Sequence, residues 1–354
     1  MDMSSLKAVD FFCGSGGMTC GFRKAGVKVL AGIDIEEKCR KTYEFNNEGS
    51  KFIHANIKEL TFEGLEKEVK ISQNDNDLIF IGCSPCQYWS VIATKKEKSS
   101  ETKNLLVDFQ RFVDHYNPGY VVIENVPGML TRKDESPLDE FLKYLSSREY
   151  SVVYDVVNVF EYGVPQSRKR FILIASRLEN KNKLKFPEAD TKKNPPTVRQ
   201  FIGTGCGFKK IPAGHKDDTD FNHTCAGLGE KNMKRLRVTP HDGGTRMAWK
   251  DDKELQLLTY IGRDNCFKDS YGRMFWDKPG PTITTKFFNI SNGRFAHPEQ
   301  NRPISIREGA TLQTFDKDYL FFGTSLASNA KMIGNAVPPE LSKRIANMIC
   351  TIHQ

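Results

Sequence analysis

The stretch Asp77-Leu-Ile-Phe-Ile-Gly-Cys-Ser-Pro-Cys-Gln-Tyr-Trp-Ser90 decides the fold. Its apolar run, Leu78 to Ile81, stops at Gly82, the pattern of a parallel strand covered on both faces. Cys83 and Cys86 follow, with Pro85 between them. A redox pair, half of a metal site, an inert thiol and a nucleophile all suit cysteines at such a place. A thioredoxin-like redox chain is short, and its cysteine pair does not follow a glycine loop. Cys206, His215, His223 and Cys225 are too scattered to complete a metal site, so no metal is expected. Pro85 and Gln87 beside Cys86 favour the nucleophile there, while Cys83 keeps the inert reading.

Outward from that strand, residues 7–12, 27–33, 120–123 and 170–175 read as further strands. Residues 36–45 and 105–113 have helical spacing, and a helix is expected around 21–25. The alternation predicts a doubly wound α/β domain with ligands at the carboxyl ends of its strands. Past residue 186 the style changes. Residues 189–196 are polar and proline-bearing, as in a linker, and the chain to about 301 is loop-rich. The tail, 338–349, reads as a helix with proline at its start and a stripe of Leu341, Ile345, Met348 and Ile349.

Composition narrows the class. No run of about 18 apolar residues exists, so no membrane partner is expected, and the first residues lack a signal-peptide pattern. Nine cysteines, an odd number spread mostly singly, argue for free thiols in a soluble intracellular protein. The net charge of +8 permits a nucleic-acid partner without requiring one.

Four further stretches carry chemistry. D10-F-F-C-G-S-G-G-M-T-C-G21 follows a strand and precedes a helix, where glycines let backbone approach a ligand and the helix start adds donors. Its spacing is not G-x-G-x-x-G. Asp34 ends the next strand, placed to accept from ribose hydroxyls, so a nucleoside-bearing cofactor is favoured over an empty turn. Glu124 and Asn125 stand just past the strand at 120–123; the glutamate is a helix cap, a partner of a nearby cation, or a proton donor or acceptor beside the nucleophile. Gln166, Arg168 and Arg170 alternate, so an extended backbone would aim them one way, either into solvent or towards an anion. Met332-Ile-Gly-Asn-Ala-Val-Pro-Pro339 opens the last helix, as a plain entry or a ligand loop.

Together these blocks resemble the DNA cytosine-5 methyltransferases. D-F-F-C-G-S-G-G, S-P-C-Q, E-N-V, Q-S-R-K-R, R302-P-I-S-I-R-E-G-A-T-L-Q313 and G-N-A-V-P-P occur in that family's order, leaving only about 188–274 outside the likeness. The resemblance implies a Rossmann-like α/β S-adenosylmethionine-dependent domain with a smaller, loop-rich target-recognition domain. Residues 1–186 would form the first catalytic part, 187–300 the target-recognition part, and 301–354 the return. It implies methyl transfer from S-adenosylmethionine to carbon 5 of a flipped-out cytosine in double-stranded DNA, with Cys86 as nucleophile. Glu124 would contact ring N3 and the exocyclic amine, Arg168 the base, and Gln166 and Asn125 would support them. Cofactor contacts carry over to Phe12, Gly14, Ser15, Gly17, Asp34, Ile35, Asn56, Ile57, Pro85, Leu105, Asn335, Ala336 and Val337. Ile35 replaces the usual aromatic and Asn56 the usual aspartate, which predicts weaker cofactor binding.

DNA contacts are expected from Gln87, Ser90, Arg170, Arg235, Arg237 and Arg246, the last three able to read guanine edges. The resemblance further implies a cytoplasmic, prokaryotic or phage-encoded monomer, the modification half of a restriction–modification pair with a cognate endonuclease. An RNA methyltransferase on the same fold, a non-catalytic DNA-binding relative and an NAD-type oxidoreductase are the other readings. The long basic middle region argues against the first. The intact Pro85-Cys86-Gln87 and Glu124-Asn125-Val126 argue against the second, and the departure from G-x-G-x-x-G against the third.

Overall fold

A computed structural model describes residues 5–84, 104–131, 137–179 and 183–353. Alternating apolar runs and amphipathic stretches give β1 (Lys7–Phe11), α1 (Gly17–Lys24), β2 (Lys28–Asp34), α2 (Arg40–Asn46), β3 (Lys51–His54), α3 (Phe62–Glu68), β4 (Leu78–Gly82), α4 (Leu105–Tyr116) and β5 (Tyr120–Asn125). Next come α5 (Gly128–Thr131), α6 (Leu138–Ser147), β6 (Ser151–Asn158), β7 (Gln166–Ser167) and β8 (Lys169–Ser176). Beyond the polar stretch lie α7 (Val198–Ile202), α8 (Glu230–Val238), β9 (Gly280–Pro281), α9 (Ile306–Leu312), α10 (Leu326–Asn335) and α11 (Pro339–His353).

The chain divides into two compact units. The first holds Met1–Asn158, Lys169–Ala189 and Val337–Gln354; the second holds Val159–Arg168 and Asp190–Ala336. Residues 301–336, read from sequence as part of the catalytic return, therefore pack with the loop-rich unit.

The first unit is a seven-stranded sheet in the order β3-β2-β1-β4-β5-β8-β6. Strands β1 to β5 run parallel, while β8 is antiparallel to both β5 and β6. The strand at 170–175 is thus where the sequence places it, but it is not a further parallel strand: β6 and β8 form an antiparallel pair joined through residues 159–168, and an antiparallel pair needs no crossover helix. The core is apolar. Phe11, Phe80, Phe109, Phe112 and Tyr116 pack under the sheet, with the Phe11 and Phe80 rings 5.1 Å apart and edge-on. Helix α11 lies against α1 with no room to spare, since a Cβ on Gly21 would come within 2.3 Å of Ser342 Cβ. Strand order reverses between β1 and β4, so the crevice at their carboxyl ends is where such a sheet offers a ligand site.

The second unit has few ladders. Its only strands among the described residues, β7 and β9, are two residues each. It is closed by small apolar clusters, such as Leu236, Trp249, Leu255, Tyr271, Ile290 and Ala296, and by buried arginines.

Candidate functional site

Phe12 to Gly17 leave β1 through an unusual backbone. Phe12 has φ 64°, a value that costs a bulky residue energy, and Gly14 and Gly16 follow at 51° and 89°. The turn is held from β2: the Asp34 carboxylate accepts from Gly14 N and from Glu36 N, both at 2.8 Å. Burial nevertheless outweighs these bonds and raises the Asp34 pKa. Ile35, next in line, leaves its side chain 64% exposed. Beyond Gly14 the space is open, and a Cβ placed there would meet no atom within 4 Å. Asn56 folds onto its own turn, donating to Glu59 at 2.9 Å and accepting from Lys58 N at 3.2 Å. Ile57 belongs to the core, and Leu105 is buried in the first turn of α4. Ser15 and Gly17 are buried in the loop and at the start of α1.

Beneath the loop, Asp10 is buried in β1 and accepts from Thr19 Oγ1 at 2.7 Å. Its second oxygen is buried without a hydrogen-bond partner. Burial raises its pKa to about 7. The network continues from Thr19 to Tyr43 and on to Ser50. Asp10 opens the glycine-loop stretch in the sequence but is given no role there, because it looks like one polar residue in an apolar strand.

Parallel register brings the ends of β4 and β5 to the same edge as this loop: Phe11 lies opposite Gly82, and Gly82 opposite Ile123. Glu124 is buried there and pairs with Arg170 Nε at 2.8 Å. Asn125 is buried beside it. Its amide nitrogen donates to Ser84 O at 3.1 Å and to Ser84 Oγ at 3.0 Å, and its oxygen accepts from Val126 N at 2.8 Å. Asn125 therefore fastens the chain two residues before Cys86. Cys86 itself, with Pro85, Gln87 and Ser90, lies outside the described residues. Cys83 is no thiolate, because burial and the nearby Glu124 push its pKa well up.

The Q-x-R-x-R stretch does not present one face. Extended structure breaks after Ser167 and resumes at Lys169, so Gln166 and Arg168 belong to the second unit and Arg170 to the first. Gln166 donates to Leu312 O and to Gln313, and accepts from Ile283 N. Arg168 donates to the carbonyls of Ile283, Gly334 and Ala336. These two hold the ends of α9 and α10. The guanidinium that meets Glu124 is that of Arg170, a residue that the sequence places among the DNA contacts. Asn335 is exposed at the end of α10, Ala336 is buried after it, and Val337 is buried in the first unit.

Among the arginines expected to read DNA, Arg235 and Arg246 are buried and donate to carbonyls of their own unit, although Arg246 Nε is buried without a partner. Arg235 bonds Leu255 O at 2.7 Å, and Arg246 bonds Arg263 O and Cys266 O at 2.7 Å each. Only Arg237 of the three is exposed. Their spacing carries no sign of this, because arginine is seldom buried. No group of three or more potential metal ligands occurs among the described residues, and no helix there is long and apolar enough to cross a membrane.

The sequence from residue 6 to 351 matches the model of the C-5 cytosine-specific DNA methylases. The chain belongs to that family. This methylase is 36% identical over 344 residues to the type II methylase M.HgiDII of Herpetosiphon aurantiacus, covering 96% of this chain and 94% of that one. It is 28% identical to the type II methyltransferase M.DdeI of Desulfomicrobium norvegicum, over 97% and 88% of the two chains. Its fold resembles that of a solved prophage-encoded DNA modification methyltransferase from E. coli, with a TM-score of 0.71, 19% identity, and coverage of 98% and 99%. It also resembles S. pombe Dnmt2, at a TM-score of 0.61 and 14% identity over 98% of both chains. The methylase is thus a DNA cytosine-5 methyltransferase of the type II restriction–modification kind that uses S-adenosylmethionine.

Proposed function

We propose that this methylase flips one cytosine out of duplex DNA and methylates it through a covalent Cys86 adduct. The pairing of Glu124 with Arg170, beside an Asn125 bonded to Ser84, is the observation that supports the reading most. Carbon 5 of cytosine is a poor nucleophile. Addition of the Cys86 thiolate at carbon 6 converts the ring into an enamine, whose carbon 5 is electron-rich. Glu124 contacts ring N3 and the exocyclic amine, so negative charge does not build up during that attack. Arg170 fixes the carboxyl by its ion pair and takes the base-contacting role read from sequence for Arg168. Asn125 is a positioning residue. Expulsion of Cys86 after loss of the carbon 5 proton restores the aromatic ring.

S-adenosylmethionine, when bound, supplies an electrophilic methyl group. The residues at the strand ends suit it. Asp34 keeps lone pairs for ribose hydroxyls, exposed Ile35 offers an apolar face for a purine, and the open space at Gly14 admits a ligand against bare backbone. Phe12, Ser15, Gly17, Asn56, Ile57, Pro85, Leu105, Asn335, Ala336 and Val337 complete the proposed contacts. The amide oxygen of Asn56 already accepts from Lys58 N, which fits the weaker cofactor binding expected of asparagine there.

The region 187–300 is proposed to recognise the target, with 1–186 and 301–354 as catalytic segments. The chain is proposed to act as a cytoplasmic monomer whose methylation protects DNA from a cognate endonuclease. Bisulfite sequencing of plasmid from cells expressing the chain tests this. Methylcytosine in one short motif, lost with Cys86→Ala, is expected; unmodified DNA from a folded, cofactor-binding protein contradicts it.

A further inference from the structure

Residues 258–268 of the second unit form a loop that departs from the usual surface chemistry. Leu258 is 85% exposed, Ile261 57% and Phe267 65%. Three large apolar side chains thus stand exposed within ten residues of one another, where scattered surface hydrophobics would be singly spaced. The loop is nevertheless built. Buried Arg246 reaches into it with bonds of 2.7 Å to the carbonyls of Arg263 and Cys266, and its guanidinium stacks 4.5 Å over the Tyr260 ring. Turn bonds from Arg263 N to Tyr260 O and from Cys266 N to Arg263 O close it further. Phe267 is held at φ 51°, a conformation that costs a bulky residue energy and that turns the chain there.

The charges of the loop are sorted as well. Its one aspartate, Asp264, is engaged within the unit with Lys250 at 3.5 Å, and Asp269, the residue after the loop, with Arg294 at 2.9 Å. Arg263 and Lys268 are exposed and have no ion-pair partner among the described residues. The loop thus combines exposed apolar side chains with exposed positive charge.

We infer that the loop at 258–268 is a DNA-contacting element of this methylase, with Arg263 and Lys268 at phosphates and Leu258, Ile261 and Phe267 against base edges or the thymine methyl. Arg246, which its position in the sequence suggests as a base reader, is the positioning residue that holds this loop. The inference rests on the reading of duplex DNA as substrate.

The experiment compares the wild-type chain with Leu258→Ser/Ile261→Ser/Phe267→Ser on plasmid DNA, reading kcat/KM, cofactor affinity by calorimetry and the melting temperature. A fall in kcat/KM of about tenfold or more is expected, with cofactor affinity and melting temperature unchanged because the side chains carry no core packing. In parallel, alkylation of exposed Cys266 is mapped by peptide mass spectrometry with and without plasmid; protection by DNA is expected, and none by cofactor alone. A triple variant that methylates as well as wild type, with Cys266 equally reactive on DNA, overturns the inference. So does a variant that changes only self-association in sedimentation, which would make the loop a contact between copies of the chain. A wild-type chain that leaves DNA unmethylated fails at the control instead, and that result removes the function reading itself.

Discussion

The two units solve one problem in opposite ways. In the first, parallel strands satisfy backbone groups by ladder bonds, and the interior is left to Phe, Leu, Ile and Val. In the second, ladders are almost absent, and carbonyls need other donors. Every buried arginine among the described residues lies there: Arg168, Arg235, Arg246, Arg273, Arg302 and Arg307. A guanidinium carries five N–H donors in a planar fork, so one side chain can bind several loops together. Arg273 shows the scheme. It donates to the carbonyls of Thr239, Leu236, His297 and Gln300, and also to Asn301. The lesson is that a unit with few strand ladders can satisfy its buried carbonyls if arginine side chains are turned inward.

The sharpest way to break that comparison is conservative substitution in each unit. Arg273→Lys keeps the charge but loses the fork, leaving several buried carbonyls unmet. It should cost about 3–5 kcal/mol. Phe80→Leu keeps an apolar side chain in the sheet core and should cost only about 1–1.5 kcal/mol. Urea unfolding gives the magnitudes, and hydrogen exchange should show the Arg273→Lys loss confined to segments near 236–301. Equal costs, or loss of protection in β1 and β4, would contradict the division of labour.

Acidity sharpens the contrast, because the units should respond with opposite signs. Glu308 is buried against Arg302 with bonds of 2.7 and 2.8 Å, and these hold its pKa down to about 2 despite burial. Between about pH 4.5 and pH 2 the unfolded chain binds this proton and the folded chain does not, so stability falls with acid by about 3 kcal/mol. Asp10 runs the other way. Its pKa is raised to about 7, so between about pH 4 and pH 7 the folded state holds the extra proton and stability falls as pH rises. Asp10→Asn should flatten that upper slope, and Glu308→Gln the acid one, in melting curves against pH. A single slope shared by both variants would mean the groups are not acting separately.

Asn125→Ala should lower kcat by about tenfold, since it frees the Ser84 anchor without touching the cofactor loop. Cofactor affinity by calorimetry should stay the same; a parallel loss would place Asn125 in binding instead. At the small end, Arg199→Ala removes an exposed pair with Asp277 and should leave the melting temperature within replicate scatter.

What can be read from the sequence follows the same divide. Strands β1, β2, β4 and β5 are legible because parallel strands buried on both faces are written as apolar runs. Asp34, the glycine loop and Glu124 are legible as candidate site residues because such sheets place ligands at strand ends. β3 is not, since its four residues bury only Phe52 and Ile53, and β6 is an edge strand with weak alternation. The Arg170–Glu124 pair depends on antiparallel pairing of β5 with β8, which spacing along the chain does not encode. In the second unit the arginines look like DNA contacts, because composition favours exposure for that side chain; only tertiary structure shows which carbonyls they serve.

The central claim is chemical, and trapping the adduct tests it most directly. Plasmid-derived DNA amplified with the 5-fluorodeoxycytidine nucleotide carries a fluorine that cannot leave as the carbon 5 proton does, so an addition at carbon 6 is held. With S-adenosylmethionine present, peptide mass spectrometry should find the base joined to the peptide containing Cys86, and no adduct in Cys86→Ala. An adduct on another residue, or none from a chain that methylates ordinary cytosine, would contradict the account.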